Sequence, residues 1–581
     1  MRVIVAEKAG FCMGVRNALD KALAAAESSS GEVYTLGPLI HNERVVQTLE
    51  RRGVRCRKDL AGVTHGKVVI RAHGTTREKR AELESRGLEV VEGTCPHVLR
   101  SQRLAAEWSG KGYFVVIAGD KDHAEVVGLM GHCTNGCAVV SHAAEVDGLR
   151  LPEKVCIIAQ TTFNESLLGE IASRVKLLRP EAQVLPTICR ATAERQEEVV
   201  RLSREVEAVV VVGDKGSANT RRLAEVASAT GKPTFLVEGA EDLDAEALSR
   251  YSVVGVTAGA STPSWVIQSV VEQLEAIGRQ GVRWWVRNLL AVLVRSSVCT
   301  ALGAAALCYC CCLLLGYKLL PWQTEGPIDE YMTIAFSYIF TVYAMNRLRE
   351  AGRGERYTAR LHFSARHKIA LTIGSCLLFA LSGYVSWGLG RRVHLLLFAA
   401  YVMGLIYSLE VIPRLLRIRY RKLRDIPASK DVFTAAGWTT VCVLIPYARE
   451  PGSLAGAIVA VLLALVVNFV RATIFDLTDI QGDRILGRET LPVLLGARAT
   501  RRLLLVLTGV LLVALVAFGA SGVLGENSGL ALLLALCPIY LYLYLRMGQQ
   551  WSARSELRCS LFADASLFLC GGIALVWALV S

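Results

Sequence analysis

At 581 residues, with 52% of them hydrophobic and a mean hydropathy of +0.38, the chain is too long for one core and too apolar to be wholly soluble. The formal charge of +13 is unevenly held: residues 1–280 carry 35 Lys/Arg against 36 Asp/Glu, and the remainder carries 30 against 16. A nucleic-acid partner would need a basic patch on the soluble half, and the neutrality of that half excludes one.

The division predicts a soluble α/β domain over 1–280 and a membrane domain over 285–581. Seventeen cysteines, on a chain whose Met1-Arg-Val-Ile start already reads as a strand, predict a reducing cytoplasm rather than a disulfide framework.

The first half is organised around a repeated pattern of apolar strand, tight turn with one cysteine, then helix. Val3 to Ala6 leads to Cys12, Leu88 to Val91 leads to Cys95, and Val184-Leu185 leads to Cys189. Other strands end in polar signatures: His41-Asn42, His73-Gly74, His123-Ala-Glu125, Thr161-Thr162, Ser217-Ala218-Asn219 and Ser261. Helical stretches separate most of them, so the pattern is β-α repeated with parallel sheets. Three cysteine-bearing units predict three similar lobes, a pseudo-threefold domain whose strand ends line one polar cavity.

Three thiolates spaced 83 and 94 residues apart are no local zinc knuckle. They could hold an iron–sulfur cluster by three of its four irons, leaving one open to substrate; structural zinc is the alternative. The three histidines with Ser217, Asn219 and Ser261 supply donors for a polyanion such as diphosphate. Glu125 is placed as a proton donor in a dry pocket.

Together these stretches resemble 4-hydroxy-3-methylbut-2-enyl diphosphate reductase, the last enzyme of the non-mevalonate isoprenoid pathway, over residues 1–278. The resemblance implies a reductive dehydroxylation at a [4Fe-4S] cluster on Cys12, Cys95 and Cys189. It implies that Glu125, His123 and Thr161 handle protons, and that His41, His73, Ser217, Asn219 and Ser261 grip the diphosphate. Electrons would come from a ferredoxin or flavodoxin, and the products would be isopentenyl and dimethylallyl diphosphates. Ala218 stands where some members have a second serine, which would remove one phosphate contact.

After a linker near 276–283, Trp284-Trp285 reads as an interfacial anchor. Nine apolar segments follow, at 288–318, 331–346, 368–388, 394–412, 431–447, 454–474, 502–521, 529–546 and 560–580, predicting an all-α polytopic domain of about nine transmembrane helices. Arg/Lys clusters after the second and fourth segments place those loops, and the soluble half, in the cytoplasm. Cys308 and Cys310 to Cys312 fall in an apolar helix, as small space-filling hydrophobes.

Offsets of three and seven put Asp476, Asp479 and Asp483 on one helix face. Clustered carboxylates call for a cation, and Mg2+ shared with a diphosphate fits. With the continuation to Thr490-Leu-Pro492, this stretch resembles the second aspartate-rich motif of the UbiA superfamily of intramembrane prenyltransferases. That implies transfer of a prenyl group from an isoprenoid diphosphate. At the family's first motif the chain reads Asn346-Arg347-Leu348-Arg349-Glu350. Asn346 and Glu350 keep two positions, and Arg347 puts a cation where a metal-binding anion belongs. The alternative is a membrane half that only anchors the reductase or binds lipid.

Overall fold

In a computed structural model of the chain, the residues described are all but 29–30, 278–281, 318–326, 353–358, 409–428, 479, 486–489 and 548–555. The chain divides into two compact units, one of residues 1–279 and the other made almost wholly of the residues that follow.

The first unit holds twelve strands: β1 (Arg2–Val5), β2 (Val33–Leu36), β3 (Val54–Arg57), β4 (Lys67–Val69), β5 (Glu89–Val91), β6 (Phe114–Ala118), β7 (Cys137–Val140), β8 (Val155–Ala159), β9 (Gln183–Val184), β10 (Ala208–Val212), β11 (Thr234–Val237) and β12 (Val253–Ala258). They form three separate four-stranded sheets, ordered β1-β12-β10-β11, β3-β2-β4-β5 and β7-β6-β8-β9, with every pairing parallel. Central strands such as Ala208–Val212 and Val155–Ala159 are buried along their whole length. Parallel sheets covered by helices on both faces favour such β-branched runs.

The three sheets repeat one topology. Taking β10, β11, β12 and β1 as one lobe, each lobe orders its strands fourth, third, first, second. The chain therefore begins on the last strand of a lobe that it completes about 200 residues later, between Ala208 and Ala258. The sequence reading found the pseudo-threefold but not β3, β7 and β11, which carry no site residue.

In the second unit, seven helices among the described residues are long and apolar enough to cross a membrane: Val298–Leu315, Lys368–Leu389, Ser429–Arg449, Leu454–Thr478, Ala497–Ala520, Gly525–Met547 and Leu557–Val580. The expected count of about nine is not confirmed among the described residues. Segment 331–346 lies within the helix Ile328–Gly352, whose ends carry Asp329, Glu330, Arg347, Arg349 and Glu350. Segment 394–412 begins in Arg391–Ser408, which opens on Arg391-Arg392, and residues 409–428 lie outside the described ones.

The expected span 288–318 is also divided. The helix Val282–Arg295 ends, Ser297 takes a left-handed φ of 75°, and a second helix starts at Val298. The first of these exposes Trp285, Val286, Leu289 and Val292. The second is buried in the bundle core, with Cys308 and Cys310 to Cys312 fully enclosed. It packs closely on the helix Glu556–Val580: a Cβ added at Gly571 would lie 2.6 Å from Ala306 Cβ.

Candidate active site

Each lobe delivers residues to one cavity by the same rule. First strands β2, β6 and β10 lead to His41, His123 and Ser217-Ala218-Asn219; third strands β4, β8 and β12 lead to His73, Thr161 and Ser261; fourth strands β5, β9 and β1 lead to Cys95, Cys189 and Cys12. All of these residues, with Glu125, line a single cavity of about 760 Å³, counting its open mouth. The fourth strand is an edge strand in every sheet.

Backbone bonds fix the cysteines in register. Cys12 N–H donates to Ala260 O at 3.1 Å, Cys95 N–H to Ala72 O at 3.0 Å, and Cys189 N–H to Thr161 O at 2.8 Å. Each cysteine is thus pinned to the end of the neighbouring third strand, beside Ser261, His73 and at Thr161 respectively. Cys95 and Cys189 occupy the N-cap positions of the helices Pro96–Gly110 and Arg190–Glu205. Cys12 directly precedes the helix Met13–Ser28, and its sulfur accepts the Val15 N–H at 3.4 Å. The helix that follows Cys12 lies close against Cys95: a Cβ on Gly14 would sit 2.5 Å from Cys95 Sγ.

Two residues that sequence reasoning missed tie the Cys12 loop to the Cys189 helix. Arg195, only 6% exposed, donates through Nε to Lys8 O at 2.8 Å and through Nη2 to Gly10 O at 2.5 Å. Glu198 accepts the N–H groups of Glu7 at 2.6 Å and Lys8 at 3.0 Å. The Arg195 guanidinium also interacts with the sulfurs of Cys12 and Cys189. Burial pushes the Cys95 thiol up to about 11.

The donor set separates the two metals left open by the sequence. Four thiolates around one zinc, at Zn–S distances near 2.3 Å, bring their sulfurs to about 3.8 Å of one another. Among the described residues, the one group of three His, Cys, Asp or Glu side chains whose ligand atoms all come within 4.8 Å is His41, His73 and His123. Cys12, Cys95 and Cys189 line the same cavity without their sulfurs all coming within 4.8 Å of one another, which leaves room for a multi-iron cluster rather than one zinc ion. The residues present fit such a group.

Facing the cysteines, Glu125 is 2% exposed. Its carboxyl accepts the Thr161 N–H at 2.7 Å and the Thr161 hydroxyl at 3.0 Å. Burial outweighs both bonds and raises its pKa to about 7. His123 caps the helix Ala124–Met130 by accepting the Glu125 N–H on Nδ1 at 3.2 Å, so its neutral ring carries the proton on Nε2. Ring centroids of His41 and His73 are 5.0 Å apart, and those of His73 and His123 are 5.3 Å apart. Desolvation holds all three rings below their ordinary pKa, His123 at about 4. His73 Nδ1, Asn219 Nδ2 and Ser261 Oγ are buried with no hydrogen-bond partner among the described residues. Unmatched polar atoms and neutral imidazoles thus line the cavity together.

In the second unit, Asp476 and Asp483 are buried at 2% and 3% exposure; Asp479 lies outside the described residues. Asn346 and Glu350 are half-buried near the end of the helix Ile328–Gly352. Arg347, between them, donates through Nη1 to Arg295 O at 2.7 Å. A third residue went unnoticed in the sequence: Asp431, 1% exposed, whose Oδ2 accepts the Thr473 hydroxyl at 3.0 Å. Deeper in the bundle, Arg471 and Asp564 form an ion pair at 2.7 Å, 2% and 1% exposed, completed by the hydroxyls of Thr300 and Tyr343.

Comparison with known proteins follows the same division. Residues 3–275 match the family model described as LytB protein, and residues 349–569 match the UbiA prenyltransferase family. The 4-hydroxy-3-methylbut-2-enyl diphosphate reductase of Geobacter sulfurreducens is 43% identical over 275 residues, covering 47% of this chain and 97% of that protein. The solved Plasmodium falciparum E-1-hydroxy-2-methyl-but-2-enyl-4-diphosphate reductase is 26% identical, over 47% of this chain and 87% of that one, with a TM-score of 0.45. A UbiA homolog from Archaeoglobus fulgidus, solved with GPP and Mg2+, is 13% identical over 50% of this chain and 98% of that one, with a TM-score of 0.38. Through residues 3–275 the chain belongs to the LytB family of 4-hydroxy-3-methylbut-2-enyl diphosphate reductases, and it carries a UbiA prenyltransferase-family domain over residues 349–569.

Proposed function

We propose that the first unit reduces 4-hydroxy-3-methylbut-2-enyl diphosphate to isopentenyl and dimethylallyl diphosphates, taking up two electrons and two protons and releasing one water. The observation that carries this reading is the meeting of Cys12, Cys95 and Cys189 with Glu125 and three histidines in one cavity. A [4Fe-4S] cluster held by the three cysteines would supply the electrons and an open iron for the substrate hydroxyl.

The chain's own residues do the rest. His41, His73, His123, Ser217, Asn219 and Ser261 bind the diphosphate, with the backbone N–H groups at the start of the helix Ala218–Ala229 beside them. Glu125, neutral below about pH 7, holds the proton for the departing hydroxyl, and Thr161 fixes its carboxyl. A ferredoxin or flavodoxin is the electron donor.

The second unit spans the membrane and transfers a prenyl group from an isoprenoid diphosphate, with Mg2+ held by Asp476, Asp479 and Asp483. The basic loops keep the reductase on the cytoplasmic side. The fusion places a source of five-carbon diphosphates at the membrane surface where longer ones are consumed. A second reading, anchoring alone, is favoured by Arg347, which is bonded to Arg295 O where the family has a metal-binding acid.

Two assays test these readings. An anaerobic reductase assay on the full chain, with a one-electron reductant, should yield both five-carbon diphosphates. Membranes given labelled prenyl diphosphate should turn it over with the wild type and not with Asp479→Asn. Equal turnover by the two would leave the second unit as an anchor.

A further inference from the structure

Asp431 has no part in the chemistry described above for either unit. It lies in the first turn of the helix Ser429–Thr439, and Asp476 lies near the end of the helix Leu454–Thr478. The two carboxyls are within hydrogen-bonding reach of each other. Thr473, one turn before Asp476, donates to Asp431 Oδ2 at 3.0 Å, and the Lys430 ammonium pairs with Asp476 Oδ1. That leaves Asp431 Oδ1 and Asp476 Oδ2 buried and without a donor among the described residues.

Among the described residues, Lys430 is the one cation paired with either carboxyl. Arg471 is engaged elsewhere. Its Nη1 is on Asp564 at 2.7 Å, its Nη2 is on Tyr343 at 3.1 Å, and its plane lies over Trp438. Lys430 is unlike it: its side chain is 45% exposed, so its ammonium can leave Asp476 for water. A divalent ion in its place balances both carboxylates, and facing carboxyl oxygens are the ligands that hard cations take.

We propose that Asp431 and Asp476 together bind a hard divalent cation. Lys430 is the counter-ion of the metal-free state and moves off Asp476 as the metal enters. The inference adds Asp431 to the metal reading proposed above for Asp476 and rests on that reading.

The test uses Mn2+ alone as the probe, titrated into the full chain in detergent and followed by the loss of the free-ion EPR signal. The double variant Asp431→Asn/Asp476→Asn gives the background from other sites, the histidine group included. Above that background the wild type should bind one further equivalent, released by Mg2+. Asp431→Asn should weaken it at least tenfold, and Asp431→Glu should restore part of the affinity. Lys430→Gln should tighten it several-fold, a gain that a misfolded variant cannot mimic. If Asp476→Asn loses the ion while Asp431→Asn keeps it and Lys430→Gln changes nothing, a proton shared by the two carboxyls explains the pair. In that case this inference fails and the aspartate-motif reading stands. If the wild type holds no more Mn2+ than the double variant, both fail.

Discussion

In the soluble unit, polar residues reach the cavity because backbone bonds pin strand ends to one another. In the membrane unit, they meet side chain to side chain inside an apolar bundle. The first arrangement tolerates unmatched groups: His73 Nδ1, Asn219 Nδ2 and Ser261 Oγ have no partner among the described residues while the sheets carry the fold. The second binds function to stability, because a charge stranded between helices costs as much as the fold can spare. Substitutions should therefore act differently in the two halves.

The largest expected effect is catalytic and confined to the soluble unit. Glu125→Gln keeps the shape and an acceptor for the Thr161 N–H, yet removes the proton donor; reductase turnover should fall about a thousandfold with iron content unchanged. Loss of iron along with activity would instead make Glu125 structural. In the membrane unit, Arg471→Met leaves Asp564 as an unpaired buried carboxylate and should destabilise that unit by about 3–5 kcal/mol, read as thermal unfolding in detergent. Replacing Asp564 by Leu as well should recover most of this. Iron content should not move in either variant, and a change there would break the separation of the two halves.

Smaller effects should follow at the clasp and the close approach. Arg195→Gln removes charged donors from Lys8 O and Gly10 O, about 2–3 kcal/mol, and should lower iron content by loosening the Cys12 loop. Gly14→Ala forces a carbon to 2.5 Å from Cys95 Sγ, so a loss of about 1–3 kcal/mol and of iron is expected.

The pH profile is subtler still. Burial raises Glu125 from 4.5 to about 7, so the folded state favours the neutral acid. That contribution is complete below pH 4.5 and is lost as pH rises through about 7, and the reductase rate should fall over the upper part of the same window. His41, His73 and His123 are lowered from 6.5, so their contribution is present above pH 6.5 and is lost as pH falls towards their folded values. A bound diphosphate reverses that shift. Its binding should take up protons near pH 6, measurable by calorimetry in buffers of different ionisation enthalpy.

Legibility in the sequence tracks the same contrast. Cys12, Cys95, Cys189, Glu125 and the histidines were readable because each ends an apolar strand, a position that folds in only one way. The clasp was not, since Arg195 and Glu198 sit in a helix so charged that its face reads as solvated. Asp431 was hidden by its neighbour: Lys430-Asp431 at the mouth of an apolar segment looks like interfacial charge until Asp476 is seen beside it. The break at Ser297 was missed because a serine, unlike glycine, does not advertise a positive φ.

The proposed reductase chemistry requires three distant sulfurs to share one cluster. The direct measurement is iron, sulfide and zinc content, with the visible and EPR spectra, of anaerobically purified full chain beside Cys12→Ser, Cys95→Ser and Cys189→Ser. About four irons per wild-type chain, with a brown charge-transfer absorption that each substitution abolishes or bleaches, is the predicted result. A colourless wild type carrying one zinc, or iron unaffected by all three substitutions, would contradict it.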